Sequence, residues 1–190
     1  ASEGFVVVSV DGRGTGARGE EFRKQTYLNL GIMESADQAS AARYLSSLSY
    51  IDANRIGIWG WSYGGYNVLM SMSRGGGIFK AGVAIAPVTD WRFYDTVYTE
   101  RFMRTPQQND SGYTNGSAIS LASQLEGNLL LVHGTSDDNV HVQNSIEYSR
   151  ALIEAGKHFD MFYFPDQNHS IPYSRKYLYE KVIDFYKKNM

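Results

Sequence analysis

Residues Gly60-Trp61-Ser62-Tyr63-Gly64 carry the strongest structural signal in this chain. They follow an apolar run at residues 55–59 and precede a segment of helical composition at residues 66–72. Gly-x-Ser-x-Gly between a strand and a helix is the nucleophile elbow, a strained turn with no room for side chains two positions either side of the serine. The alternative is a chance match in a chain with 19 glycines. The elbow predicts an exposed Ser62 hydroxyl and a Tyr63 N–H that faces a developing oxyanion at a helix N-terminus.

Apolar runs alternate with helix-patterned segments along the chain. Five apolar runs predict strands at residues 5–10, 55–59, 80–88, 128–132 and 159–164. Four further segments predict helices at residues 33–48, 66–72, 141–155 and 174–188. This alternation predicts an α/β fold with a mostly parallel sheet. Ligand sites of such sheets lie beyond the carboxyl ends of the strands, so residues that follow strands are the candidates for function.

Size and composition exclude several classes of function. The chain has 190 residues, 43% hydrophobic residues and a formal net charge of -2, which favours one globular domain and offers no basic surface for nucleic acid. It has no cysteine, so thiolate catalysis and cysteine-based zinc sites are excluded. A glycine-rich loop at residues 11–16 lacks the Lys-Ser/Thr ending of phosphate-binding loops and the spacing through a third glycine of dinucleotide-binding loops. We interpret this loop as a structural support of the site.

A serine nucleophile needs a general base, and four histidines are available. His169 lies in a loop between the last predicted strand and the last predicted helix, which is the position of the base in this type of fold. His158 precedes a strand and lies at the wrong edge of the sheet. His133 is interpreted as a packed histidine at a strand end, and His141 as a residue of the surface or of the site rim. The sequence therefore predicts His169 as the base.

The base needs a carboxylate to orient it. Asp137 and Asp138 both follow the fourth predicted strand, and the order serine, aspartate, histidine is that of α/β-hydrolases. Asp137 is preferred, and the alternative for both residues is a solvated turn. His133, Asp137 and His141 recur at four-residue intervals, but helical spacing does not apply because the intervening stretch is turn-like. Neither a metal site nor a cofactor is predicted.

Residues 87–102 are dense in aromatic side chains and follow the third predicted strand. One interpretation is a packed lid without a role in substrate binding. The position beside the elbow favours an apolar pocket for a flat, compact side chain.

Several motifs resemble the dipeptidyl peptidase IV branch of the prolyl oligopeptidase family, and its bacterial members above all. The motifs lie at residues 60–66, 86–95, 97–102, 132–141 and 168–169. The resemblance implies an α/β-hydrolase fold and a catalytic triad of Ser62, Asp137 and His169, with the Tyr63 N–H as an oxyanion donor. It implies that Asn139 binds the carbonyl of the preceding substrate residue. It also implies a proline pocket lined by Tyr63, Val88, Trp91, Tyr94, Tyr98 and Val140.

The family releases dipeptides from peptide N-termini when proline, or less well alanine, is second. The resemblance implies this activity, without a cofactor, and it implies an upstream β-propeller, a homodimer and a periplasmic, cell-envelope or secreted location. Two departures stand out. Ser170 replaces the glycine that usually follows the histidine, and the family's first hydrolase strands and oxyanion tyrosine are not found. We therefore expect residues 1–190 to be a catalytic domain truncated at its N-terminus, without a second domain.

The truncation leads us to expect weak or no activity from these residues alone. The alternatives are an esterase or acylaminoacyl-type hydrolase, or a non-catalytic fragment.

Overall fold

The computed structural model describes all 190 residues and contains one parallel sheet. Its strands are β1 (Gly57–Trp61), β2 (Ala81–Ile85), β3 (Asn128–Gly134) and β4 (Asp160–Phe164). They lie side by side in chain order, and every neighbouring pair is parallel. The predicted α/β class with a parallel sheet is confirmed.

Seven α-helices connect or flank these strands. They are α1 (Glu20–Lys24), α2 (Ile32–Ser46), α3 (Tyr63–Arg74), α4 (Thr96–Met103), α5 (Asp110–Asn115), α6 (Gln143–Glu154) and α7 (Arg175–Asn189). The four predicted helices correspond to α2, α3, α6 and α7, with small shifts at their ends. The short helices α1, α4 and α5 were not predicted, because too few turns are present for a clear periodicity. None of the helices combines the length and apolarity that crossing a bilayer requires.

The hydrophobic core has two parts, one on each face of the sheet. The larger cluster includes Leu69 and Met70 of α3 and Tyr148 of α6, and the smaller one includes Phe185 of α7. All residues of β2 are buried, because its side chains alternate between the two clusters. A strand covered on both faces is typical of a parallel sheet. This packing fixes the carboxyl ends of the strands, where the candidate residues lie.

The first predicted strand is not formed. Residues 5–10 pair with no strand, and Val6 and Val7 are more than 60% exposed. A β-branched run becomes a strand only where a neighbouring backbone supplies hydrogen bonds, and none does so here. The segment is held instead by its side contacts, which include Phe5 against the Tyr186 ring. As a result, β1 is an edge strand of the sheet.

Candidate active site

Ser62 lies on a strained turn between β1 and α3. Its backbone angles are φ 59° and ψ -118°, which non-glycine residues rarely adopt. The turn is held by a hydrogen bond from Ser62 N to Ile85 O (2.8 Å) and one from Tyr66 N to Ser62 O (3.0 Å). Tyr63 is the first residue of α3, so its N–H has no partner within the helix. The backbone thus has the geometry of a nucleophile elbow.

The glycines around Ser62 have different roles. A Cβ on Gly60 would lie 2.3 Å from the Gly64 carbonyl carbon, so any side chain there would collide with the backbone. A Cβ on Gly64 would meet nothing within 4 Å, so the expectation that both flanking glycines are needed is wrong for Gly64. Gly65 is the second constrained position, because its Cβ would lie 2.8 Å from Ile85 O. Gly65 is therefore needed because α3 packs closely on β2 at this position.

Asp137 and His169 are in direct contact. His169 Nδ1 lies 2.7 Å from Asp137 Oδ2. The other carboxylate oxygen accepts hydrogen bonds from the backbone N–H groups of Asn139 (3.0 Å) and Val140 (2.9 Å). Asp138, the alternative carboxylate, is exposed and its side chain makes no hydrogen bond. The structure therefore places Asp137, the preferred residue, in the position to orient His169.

The pKa of Asp137 lies far below its ordinary value of 3.8. Burial is the largest single influence and raises the pKa, because it disfavours the charged carboxylate. Hydrogen bonds from His133 and His169, together with the positive charge available at His169 and the Asn139 backbone bond, outweigh it. Asp137 is consequently ionised at neutral pH and can stabilise a protonated His169.

Trp61 joins the histidine loop to the elbow. Its indole Nε1 donates a hydrogen bond to the backbone carbonyl of His169 (2.9 Å). The Ser62 hydroxyl makes no hydrogen bond in this structure, and such catalytic contacts often tighten only when substrate binds. Ser170 fits without strain: its backbone is not left-handed, and its N–H and hydroxyl donate to Asn168 Oδ1 at 3.1 and 3.0 Å. The serine therefore does not need the freedom of a glycine.

The six pocket residues belong to one aromatic and aliphatic cluster. Trp91 is its centre and is only 1% exposed, with the Tyr98 ring stacked on it at 6.0 Å and the Tyr94 ring edge-on at 6.1 Å. Tyr63 contacts Trp91 from the elbow side at 5.6 Å. The cluster also contains two buried aliphatic side chains, Val88 and Val140.

Asn139 lies next to this cluster. The Tyr94 hydroxyl donates a hydrogen bond to Asn139 Oδ1 (2.6 Å), which leaves the amide nitrogen free to donate to another group. The structure thus brings together every residue that the sequence singled out for binding. The sequence also showed His133, Asp137 and His141 at a spacing that could suggest a metal site. In the structure His133 and Asp137 are in contact, whereas His141 is exposed.

Comparison with known proteins gives the family. The profile of the prolyl oligopeptidase family matches residues 1–190. The chain belongs to the prolyl oligopeptidase family. Among its solved relatives is the dipeptidyl peptidase 4 of Porphyromonas gingivalis, which is 60% identical with a TM-score of 0.93. That alignment covers 95% of this chain and 26% of the other.

Curated relatives extend the similarity to fungi. The probable dipeptidyl-aminopeptidase B of Paracoccidioides lutzii is 48% identical over 97% of this chain. The dipeptidyl aminopeptidase B of Saccharomyces cerevisiae is 46% identical over 96% of it. The chain spans about a fifth of the length of these relatives, 21% and 23% respectively.

The site includes one residue that the sequence did not single out, Glu34 on α2. Its carboxylate accepts hydrogen bonds from the Tyr63 hydroxyl and from Gly31 N (3.0 Å). Burial raises the pKa of Glu34, and burial together with the nearby Glu34 charge raises that of Tyr63. Glu34 therefore fixes the pocket face of Tyr63. Glu34 is the third residue of α2 and binds the N–H of the N-cap Gly31, but a glycine at the N-cap gives no capping-box signature in the sequence.

The lowered pKa of Asp137 predicts how the free energy of unfolding of this protein changes at acid pH. Because its folded pKa lies below the unfolded value of 3.8, the unfolded chain binds the proton more readily. The stability that Asp137 contributes is complete above the unfolded pKa and is lost as the pH falls through it towards the folded pKa. We expect Asp137→Asn, which cannot titrate, to lose less free energy of unfolding than the wild type between about pH 5 and about pH 3.

Urea unfolding at a series of pH values measures this difference. Asp138→Asn is the matched control, since the neighbouring carboxylate is exposed and makes no hydrogen bond. It should keep the wild-type slope. A wild-type slope for Asp137→Asn as well would contradict the assignment of a strongly lowered pKa to Asp137.

Proposed function

We propose that this chain is the catalytic domain of a serine peptidase that releases dipeptides from peptide N-termini, with proline or alanine in second position. The observation that carries the proposal is the hydrogen bond between His169 Nδ1 and Asp137 Oδ2 (2.7 Å), in a loop that Trp61 joins to the strained Ser62 elbow, together with an aromatic cluster. Family membership and the names of the relatives, dipeptidyl peptidase 4 and dipeptidyl aminopeptidase B, support it.

The chemistry is acyl transfer. Ser62 Oγ attacks the carbonyl carbon of the scissile bond while His169 Nε2 takes the hydroxyl proton, and Asp137 holds the opposite ring nitrogen. The Tyr63 N–H donates to the negatively charged carbonyl oxygen that forms. His169 then gives its proton to the leaving amine, and the dipeptide stays as an ester on Ser62. Water, deprotonated by His169, hydrolyses the ester and restores the serine.

The aromatic cluster suits proline for physical reasons. The ring of proline is apolar, compact and already fixed in φ, so little conformational entropy is lost on binding. Tyr94 and Tyr98 are half-buried, so they can cover the ring, while Val88 and Val140 are fully packed behind them. Asn139, oriented by Tyr94, is placed to donate its amide N–H to the carbonyl of the preceding substrate residue. Longer or charged side chains should be rejected by shape and by desolvation.

Further proposals rest on the family resemblance. An upstream β-propeller would hold the substrate amino group, and a tyrosine from an earlier strand would complete the oxyanion hole. The whole protein would be a homodimer. It would be located in the periplasm, in the cell envelope or in the medium. In support of a larger unit, the relatives are four to five times longer by their coverage, and the outer edge of β1 is unpaired. These 190 residues alone should therefore show only trace activity.

A fluorophosphonate probe tests the nucleophile, and chromogenic Gly-Pro and simple ester substrates test the reaction. We expect the full-length protein to be labelled at Ser62 and to cleave Gly-Pro far faster than an ester of similar size. Labelling without Gly-Pro cleavage would support an esterase instead. Absence of labelling would contradict catalysis by Ser62.

Tyr94 offers the cleanest test of the pocket. Tyr94→Ala should lower kcat/KM for Gly-Pro about tenfold or more, because loss of a contact in an apolar pocket costs about 1–3 kcal/mol. The loss should be smaller for Gly-Ala, whose methyl group fills less of the pocket. Trp91→Ala is unsuitable, because that side chain is almost fully buried and its removal would cost about 3–5 kcal/mol of stability.

Two companion variants separate the effects. Tyr94→Phe removes only the hydrogen bond to Asn139, so it should affect both substrates equally. Tyr44→Ala removes an exposed tyrosine of α2 and should change neither. Equal losses on Gly-Pro and Gly-Ala for Tyr94→Ala would contradict the assignment of the proline pocket.

A further inference from the structure

We propose that His133 is a positioning residue of the active site, which holds Asp137 through the same carboxylate oxygen that His169 contacts. The inference rests on the proposed function, since it assigns a second partner to the carboxylate of the triad. His133 is the sixth residue of β3 and is completely buried. The sequence alone gave it the role of a packed histidine.

Every polar atom of the His133 ring has a partner. Nε2 lies 2.8 Å from Val140 O and 3.2 Å from Asp137 Oδ2. Nδ1 lies 2.7 Å from the Ser145 hydroxyl on α6. Burial requires partners for both ring nitrogens of any packed histidine, so satisfied nitrogens alone would not assign a role. The contact that points to the active site is the one with Asp137 Oδ2, because the same oxygen lies 2.7 Å from His169 Nδ1.

The identity of the partners assigns the protons. Val140 O and the ionised Asp137 carboxylate can only accept hydrogen bonds, so Nε2 must carry a proton. In the tautomer that carries its one proton on Nε2, Nδ1 accepts the proton of the Ser145 hydroxyl. With the proton on Nε2, His133 donates to Val140 O and its N–H lies 3.2 Å from Asp137 Oδ2. Asp137 Oδ1 accepts two backbone hydrogen bonds, while Oδ2 is bound to His169 Nδ1 and has the His133 N–H beside it.

The contact with Val140 extends this role to the pocket. Val140 N donates to Asp137 Oδ1, and Val140 O accepts from His133, so both ends of the residue are tied to the same pair of side chains. The turn from Asp137 to Val140 includes Asn139, the residue proposed to bind the substrate carbonyl. His133 thus fixes the catalytic carboxylate and the binding turn together.

The N-terminal turn of α6 anchors the assembly. Ser145 binds His133, and its neighbour Asn144 accepts a hydrogen bond from Thr89 N (2.9 Å) at the end of the segment that follows β2. Asn144 and Ser145 are both fully buried. The carboxyl ends of β2 and β3 are therefore joined through two adjacent residues of one helix, which makes the position of His133 rigid.

The test compares variants of the full-length protein. His133→Leu keeps an apolar side chain but removes the donor, and His133→Gln keeps an N–H that can reach Asp137. Ser145→Ala removes the group that holds the tautomer. Ser149→Ala is the matched control, since its hydroxyl lies one turn further along α6 and bonds to Ser145 O rather than to His133. The readouts are kcat and KM on Gly-Pro, the rate of fluorophosphonate labelling, and thermal unfolding.

We expect His133→Leu to lower kcat and the labelling rate about 10–100-fold, the scale known for outer partners of metal-bound histidines, with KM changed little. His133→Gln should recover most of the loss, Ser145→Ala should show a smaller loss, and Ser149→Ala should match the wild type. In an Asp137→Asn background, His133→Leu should add less than about twofold, because it acts through the same carboxylate.

Wild-type kcat in a folded His133→Leu protein would overturn the inference, and so would a full additional loss in the Asp137→Asn background. His133→Leu could fail to fold, in which case the other two variants decide. If Ser145→Ala and His133→Gln are as stable and as active as the wild type, the inference is overturned as well. The proposed function fails separately: a wild type that is labelled but does not cleave Gly-Pro would refute the dipeptidyl peptidase assignment, while the labelling rates would still test His133.

Discussion

Replacement of Ser62 by alanine is expected to lower kcat of the full-length protein by about 10⁶-fold, the loss that removal of a triad serine causes in a well-studied serine protease. His169→Ala should cost about as much, and Asp137→Ala about 10⁴-fold. The reason is that the three side chains act as one unit: without His169 the Ser62 hydroxyl keeps its proton, and without Asp137 the imidazole loses the bond that orients it.

Steady-state kinetics on Gly-Pro, with thermal unfolding as the measure of folding, check this expectation. The double variant Ser62→Ala/His169→Ala should be no slower than either single variant by more than a small factor, since the unit is already lost. Asp138→Ala is the matched control, because Asp138 is exposed next to Asp137. If His169→Ala kept more than about a tenth of wild-type kcat, His169 would not be the base.

The second large effect is expected at Gly60. A methyl group there would lie 2.3 Å from the carbonyl carbon of Gly64, and a backbone atom cannot move aside as a flexible side chain can. Gly60→Ala should therefore cost about 1–3 kcal/mol of stability or more. Because the collision pushes the elbow itself, Ser62 should shift by a fraction of an ångström to an ångström, a scale that can cost about 100-fold in kcat.

Gly64→Ala provides the matched comparison within the same motif. The added methyl group would meet no atom within 4 Å, and alanine is favoured over glycine inside a helix such as α3 by up to about 1 kcal/mol. Its thermal stability should equal or exceed that of the wild type. Chemical denaturation of both variants, with fluorophosphonate labelling of Ser62, measures the contrast. Equal destabilisation of Gly60→Ala and Gly64→Ala would contradict the conclusion that only Gly60 is constrained by contact with the backbone.

Patterns that act over short distances in the chain were predicted correctly. The strand–turn–helix around Ser62 is set by neighbours within a few residues, since β-branched residues, tight-turn glycines and helix formers specify their own backbone. The alternation of such segments was enough to predict the α/β class, because parallel strands need helical crossovers between them. The order serine, aspartate, histidine along the chain also singled out Ser62 and His169 and limited the carboxylate to Asp137 or Asp138.

Contacts between distant segments were not readable in the same way. Residues 5–10 have the composition of a strand, yet they form none, because a strand also needs a partner backbone. Gly60 and Gly64 look equivalent in the motif, but only the fold shows that the Cβ of one would point into the backbone of the other. The role of Glu34 depends on the packing of α2 against the elbow, 29 residues away in sequence from Tyr63.

By itself, therefore, the sequence determined the elbow, the class of fold, and Ser62 and His169 as the candidate nucleophile and base, because each depends on local backbone preferences or on residue order. Only the tertiary structure decided between Asp137 and Asp138, and only it showed a buried histidine in contact with the same carboxylate oxygen as His169. Adjacent aspartates have the same chemistry in the sequence. They differ once folding buries one of them, since a buried carboxylate must find hydrogen-bond donors, and β3 and the histidine loop supply them to Asp137 alone.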